Sequence, residues 1–289
     1  MQDHAFRTGQ ATAATEQDPL NRLQTDDGAA PIALERRGAI AELRLRRPKA
    51  RNALSLEMLN ALISAIGEID ADEAIKAVIL ASDGPVFCAG HDLGELTAAR
   101  RNTDGGEAFY RQTMETCARM MQAIVQSPKP FIAAVQGTAT AAGCQLVATC
   151  DLAVASEDAK FCTPGVHIGL FCSTPMVALS RNVSRKHAME MLLLGEMVAA
   201  DRALDLGLIN RMTLPADMMR EAVMMAETIA SKSGRTVAIG KRAFYEQLEM
   251  GLSDAYRHTA DVMTRNMLER DAKEGINAFL EKRPPRWEG

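Results

Sequence analysis

The sequence contains no apolar run near the roughly 18 residues that a membrane-spanning helix needs, so none of its 289 residues is expected to lie in a span. Its first twenty residues, MQDHAFRTGQATAATEQDPL, lack the apolar stretch of a secretory signal. They also contain Asp3, Glu16 and Asp18, which argues against a mitochondrial presequence. An excess of positive charge is missing too. With 33 Lys+Arg against 37 Asp+Glu the formal net charge is -4, so no polycationic face is available to neutralise phosphates and nucleic acid is excluded as a partner class. The six cysteines, at 88, 117, 144, 150, 162 and 172, form neither a CxxC pair nor the Cys/His spacing of a zinc site. They read as small buried side chains in a reducing compartment, with no metal site. The expected location is cytoplasmic, and mitochondrial only if the source is eukaryotic. There is no G-x-S-x-G, so the strand-turn-helix nucleophile of many hydrolases is absent.

What is present, 47% hydrophobic and 24% charged, is the composition of a folded globular chain. Residues 1–30 are polar, lack periodicity and read as a disordered tail. Ile32–Arg36 and Ala39–Leu45 flank Gly38 and predict a hairpin. Ser55 stands at a helix N-cap position, followed by Leu59, Leu62, Ile63, Ile66 and Ile69 at helical spacing. Ala77–Ala81 and Phe131–Val135 are short apolar runs of the kind that form strands covered on both faces. A helix is predicted from about Glu107 to just before Pro128, another over 144–150, and a strand over 152–156. Strands and helices thus alternate through a core assigned to 31–225, which gives an α/β class. From Gly195 onward helices alone are expected. Residues 226–289 read as a helical region for oligomerisation, and most of the 17 methionines lie on these late helices.

Two loops carry the chemistry. One is Val86-Phe87-Cys88-Ala89-Gly90-His91-Asp92-Leu93, and the other runs from Gly137 through Thr138-Ala139-Thr140-Ala141-Ala142-Gly143 to Cys144-Gln145-Leu146. Each sets small residues between a buried strand and a turn or helix start, where a ligand can approach the backbone. N–H groups at a helix start have no intrahelical partner and carry partial positive charge. Two of them aimed at one carbonyl oxygen form an oxyanion hole, worth about 3–4 kcal/mol per donor in a transition state.

The wording and order of these segments resemble the crotonase (enoyl-CoA hydratase/isomerase) superfamily. The matching pieces are Arg47-Pro48-Lys49-Ala50-Arg51-Asn52-Ala53-Leu54, Phe87 to Leu93, Lys129 to Gly137, Ala141 to Leu146, Cys150-Asp151, Gly207-Leu208-Ile209 and Phe279 to Pro284. They cover about residues 31–285. The resemblance implies a crotonase-like spiral of ββα turns with an all-helical C-terminal trimerisation region, assembling as a homotrimer or a dimer of trimers. It implies no permanently bound cofactor; a coenzyme A thioester would be the substrate or ligand. By motif position the oxyanion-hole amides are those of His91 and Ala142. Lys49, Arg51, Asn52, Ala53 and Leu54 would lie along the coenzyme A arm. Ala89, His91, Asp92 and Leu93 would line the adenine and pantetheine path, and Lys282 would meet a phosphate, of its own or a neighbouring subunit.

The sequence departs from the family at the reacting centre. Where the family's hydratases carry two glutamates, this chain has Gln145 and Gly165. A neutral amide can hold a water but cannot serve as a general base, and each such group contributes roughly 10²–10⁴-fold. Ordinary hydration is therefore not expected, and isomerisation is doubtful. His167, the His91 side chain, Cys172 and Ser173 are nearby alternatives as acid, base or nucleophile. An oxyanion hole without the carboxylate pair suits thioester hydrolysis, decarboxylation or plain acyl-CoA binding.

Overall fold

The computed structural model describes residues 30–288, so the expected tail lies outside the described residues except for Ala30. The hairpin forms as β1 (Ile32–Arg37) and β2 (Ile40–Leu45), antiparallel about Gly38 at φ 62°. A short 3-10 turn over Pro48–Ala50 leads to α1 (Leu56–Ala71). The Ser55 side chain accepts a hydrogen bond from the Met58 N–H, which caps that helix, and Leu59, Leu62, Ile66 and Ile69 are buried along one stripe.

After this lead-in the chain winds in turns, each placing one strand in a large sheet and the next in a small one. The first turn is β3 (Ala77–Ser82) and β4 (Val86–Cys88), followed by α2 (Leu93–Ala99) and α3 (Glu107–Gln126). The second is β5 (Phe131–Val135), β6 (Thr138–Thr140) and α4 (Ala142–Thr149). The third is β7 (Leu152–Ser156) and β8 (Lys160–Cys162), then a 3-10 turn over Pro164–Ile168, α5 (Pro175–Asn182) and α6 (Arg185–Leu194). A last stretch holds β9 (Val198–Ala199), α7 (Ala200–Asp205) and β10 (Arg211–Thr213). Among the described residues the large sheet has the order β1-β2-β3-β5-β7-β10 and the small one β4-β6-β8-β9. The pairings within the spiral turns are parallel. Such strands have both faces covered and so read as continuous apolar runs.

Alternate residues of the large sheet face two cores. Val78, Leu80, Phe131 and Ala133 pack into the main core with α1 and α3, while Ile79, Ala81, Ile132 and Ala134 face α8 (Met218–Ala230) through Met218, Ala222 and Ala226. This corrects the expected boundary at 225. Helix α8 crosses it as one unit and belongs to the sheet, and the break falls at residues 231–233. The expectation of helices alone after Gly195 also fails, because β10 extends the large sheet beside β7. Three residues, Arg211-Met212-Thr213, are too short to show a strand period.

Beyond the break come α9 (Gly234–Leu248), α10 (Leu252–Leu268) and α11 (Arg270–Leu280). Helix α9 is fastened to the spiral by Lys241, which is 9% exposed. Its Nζ donates to the carbonyls of Ile124 and Lys129, each at 2.9 Å, and to Asp151 Oδ2 at 2.7 Å. Asp151 in turn accepts from the Phe131 N–H at 2.7 Å and from the Tyr245 hydroxyl at 2.9 Å. The same ammonium lies 5.5 Å from the Phe131 ring centre. Asp151 is thus structural. Removing one partner of a buried ion pair strands the other. Lys241→Met is expected to lower the unfolding free energy by about 3–5 kcal/mol, read from urea unfolding; an unshifted midpoint would mean that the pair does not anchor α9.

Candidate functional site

Helix α4 begins against the end of β4 at a separation only glycine allows. A Cβ on Gly143 would lie 2.1 Å from the Cys88 carbonyl oxygen, and one on Gly137 2.0 Å from that of Pro85. Gly90, at φ 89°, faces the same helix start: a Cβ there would lie 3.0 Å from the Ala141 Cβ and 3.3 Å from the Ala142 nitrogen. The Thr140 hydroxyl donates to the Ala89 carbonyl at 3.0 Å, which ties the two loops together. Ala141 at the helix entrance has φ 50° and ψ -118°, a conformation that costs an L-residue of order 1–3 kcal/mol.

Among the described residues, neither the His91 N–H nor the Ala142 N–H donates to a protein acceptor, and no side chain caps the first turn of α4. The loop that carries Gly90 and His91 thus faces the start of α4, where Ala142 lies. Three side chains near this helix start have orphaned buried atoms: both ring nitrogens of His91, Oε1 of Gln145 and Oγ1 of Thr163. Gln145 is 5% exposed and Thr163 fully buried. Burial holds the His91 pKa below the usual imidazole range, and the Leu54 carbonyl offsets this only in part. Thr163 carries no motif signal in the sequence, and its place here follows from its burial and its unpartnered hydroxyl.

Position 165 is crowded. A Cβ on Gly165 would lie 2.9 Å from Cys172 Sγ and 3.0 Å from the Leu170 carbonyl oxygen. Side chains longer than hydrogen are excluded there unless the turn moves. His167 is exposed, with its Nε2 2.9 Å from the Leu194 carbonyl oxygen and its ring against Gly195. It links the 3-10 turn to the end of α6, so the structure gives no support to a role as base. All six cysteines are buried and unpaired. Desolvation pushes the thiols up, Cys162 to about 11 and Cys88 to about 12.

The expected coenzyme A arm divides into two kinds of residue. Lys49 and Arg51 are exposed, and neither has an ion-pair partner among the described residues. Asn52 is fully buried and spent internally. Its Oδ1 accepts from the Arg47 N–H at 2.9 Å, and its Nδ2 donates to the Asp83 and Val86 carbonyls at 2.8 Å each. Ala53 and Leu54 are buried, and the Leu54 N–H donates to Gly90 O at 2.7 Å. Asp92 caps α2 through the Gly94 and Glu95 N–H groups. Asn52, Leu54 and Asp92 thus build the loops and do not offer side chains to a ligand, a correction to the expected set. Ala89 is half-buried and Leu93 is 55% exposed. Lys282, at φ 57°, lies past α11 on helices that pack on one another, away from the loops in sequence and fold.

Comparison with known proteins gives a consistent family. A family model described as Enoyl-CoA hydratase/isomerase matches residues 35–289. Enoyl-CoA hydratase domain-containing protein 3, mitochondrial, from rat is 47% identical over 248 residues, covering 86% of this chain and 81% of the relative. The human protein of that name is 44% identical over 270 residues, covering 93% and 88%. Its crystal structure superposes with a TM-score of 0.85 at 45% identity, over 89% of this chain and 100% of the other. An enoyl-CoA hydratase structure from Mycobacterium smegmatis gives 0.85 at 48% identity, over 89% and 98%.

Two outcomes follow for the site as a piece of folded chain. Gly165→Ala is expected to cost about 1–3 kcal/mol of stability through overpacking, visible as a lower urea midpoint; an unchanged midpoint would mean that the turn yields freely. His91, with a depressed folded pKa, contributes stability that is present above the unfolded value of about 6.5 and lost as pH falls through the folded pKa. His91→Gln should therefore lose less stability than the parent on acidification below about 6.5; equal losses would assign the effect to other groups.

Proposed function

Because the chain belongs to the enoyl-CoA hydratase/isomerase family, we propose that it binds an acyl-CoA thioester and polarises the thioester carbonyl without the carboxylate pair used to hydrate an enoyl group. The observation that carries this reading is the pair of unpartnered N–H groups on His91 and Ala142, held together by the close approach of Gly90 and Gly143 to the opposite loop. Donors fixed in advance stabilise charge growing on an oxygen without reorganising, and they gain strength where water is scarce. Lys49 and Arg51 are exposed cations suited to the coenzyme A phosphates, and Ala89 and the exposed Leu93 suit the pantetheine path.

Exposed Phe244, Leu252, Tyr256, Leu268, Phe279 and Leu280 on or beside α9–α11 support assembly through these helices, as a homotrimer or dimer of trimers. In such an assembly Lys282 would meet a phosphate bound to a neighbouring copy. The compartment read for the chain is the cytoplasm, or the mitochondrion in a eukaryote. No described helix is long and apolar enough to cross a membrane. The crowding at Gly165 favours, as a second reading, an acyl-CoA binder without turnover. Hydrolysis or decarboxylation of a polarised thioester remains the catalytic version of the same site.

Two measurements test this. Hydration of crotonyl-CoA, followed by absorbance, is expected to run at least about 10⁴-fold below a family hydratase with both glutamates, since each lost group is worth roughly 10²–10⁴. A normal rate would overturn the assignment of Gln145 and Gly165. Calorimetric titration is expected to show butyryl-CoA binding that Ala142→Pro weakens about tenfold, because the ring removes the N–H at a helix position that tolerates proline. No binding of any acyl-CoA would sink the reading.

A further inference from the structure

The turn after β8 folds back on itself. Leu170 N–H donates to the Gly165 carbonyl at 2.9 Å. The Cys172 sulfur stands 2.9 Å from where a side chain at 165 would begin, which is the position of the family's second acid–base group. Cys172 is 7% exposed, so its sulfur is packed yet not sealed. Cys172 lies close enough to Cys144 and Cys162 to help push their thiols up, and Cys144 is the neighbour of Gln145 on α4. The thiol therefore lies near the part of α4 that carries Cys144. Gln145 Oε1 and Thr163 Oγ1, both buried and without partners, mark this as a place that awaits a ligand rather than a finished core. Ile168, Leu170 and Phe171 stand exposed along the same turn and supply an apolar wall.

We propose that the Cys172 thiol adds to the β-carbon of an α,β-unsaturated acyl-CoA whose carbonyl oxygen rests on the His91 and Ala142 amides, making this turn a covalent capture site for enoyl thioesters. The inference rests on the acyl-CoA reading above. The step balances without water or a further reagent. A bond forms between Sγ and the β-carbon, and the π pair of the carbon–carbon double bond moves to the α-carbon as an enolate. The enolate oxygen is held by the two amides, and the thiol proton ends on the α-carbon. The thioester stays intact. One S–H thus supplies the nucleophile and the proton for which hydration needs a water and two carboxylates. Burial holds the thiol in its protonated form while a backbone hydrogen bond with Gly165 favours the thiolate, so capture is slow and depends on the amides that hold the enolate. A saturated thioester has no electrophilic β-carbon; it binds and is released.

The test is intact-protein mass spectrometry of the full chain incubated with crotonyl-CoA. The expected result is a gain of one crotonyl-CoA mass per chain, mapped to Cys172 by peptide analysis of the unsubstituted protein and slowed by excess butyryl-CoA. Cys172→Ser, verified as folded by circular dichroism, should give no adduct. An adduct on a different cysteine, or labelling that butyryl-CoA does not slow, overturns the proposal. Butyryl-CoA binding with no crotonyl adduct overturns it while leaving the acyl-CoA reading in place, and failure to bind butyryl-CoA overturns both.

Discussion

The space between Gly143 and the Cys88 carbonyl is the constraint on which the rest of the site depends. With room there for a hydrogen and not for a methyl, α4 starts directly against the end of β4. That contact fixes where the first N–H groups of the helix stand relative to the loop that follows β4. Gly90 in a left-handed conformation and the strained entrance at Ala141 are the backbone consequences of turning both chains so tightly. Strain of this kind persists where the surroundings over-determine it. Here they do: Thr140 bonds across to Ala89, the Ala141 N–H donates to Cys162, and the 51–54 segment laces to 89–92 through backbone bonds.

A second fastening works at longer range. The Lys241–Asp151–Tyr245 cluster joins α9 to the strand starts of the large sheet, and Asp151 follows α4 by two residues. The helical C-terminal region and the loop-bearing helix are therefore referred to the same point in the spiral. Apolar side chains left uncovered on α9–α11 lie beyond this joint, so surface suited to a second copy sits on the part of the chain least involved in the core.

Much of the fold was legible because its signals are periodic or strongly apolar. The capped α1, the AVILA and FIAAV strands and the α3 boundary at Pro128 follow from spacing and burial alone. The three-residue strands β4, β6, β8 and β10 were not legible, since a strand that short shows no alternation and takes its identity from its neighbours. The same division holds for the site. The loop pattern of small residues before a helix start pointed to exposed backbone N–H groups, and the resemblance, by motif position, named those of His91 and Ala142. Side-chain roles did not follow. Asn52 and Asp92 looked like ligand contacts by motif, yet one is a three-bond internal staple and the other a helix cap. Short polar side chains serve loops and ligands equally well, and spacing cannot tell the two apart. Cys172 was one of several candidate nucleophiles, because its closeness to position 165 lies in a contact across the turn that spacing does not show.

The orphaned polar side chains near the start of α4 are neutral, and this bears on what the site can stabilise. Gln145 and Thr163 carry no charge, and burial keeps His91 as imidazole at neutral pH. A carboxylate in such surroundings would oppose negative charge growing on a nearby thioester oxygen, an interaction strengthened by the low local dielectric. Replacing it with an amide removes the proton carrier and that opposition together. On the proposed reading, a site so altered would be a poorer place to deprotonate water and a better one to hold an enolate. The chemistry it would favour is the kind in which the reacting partner brings its own proton or loses a group without needing one.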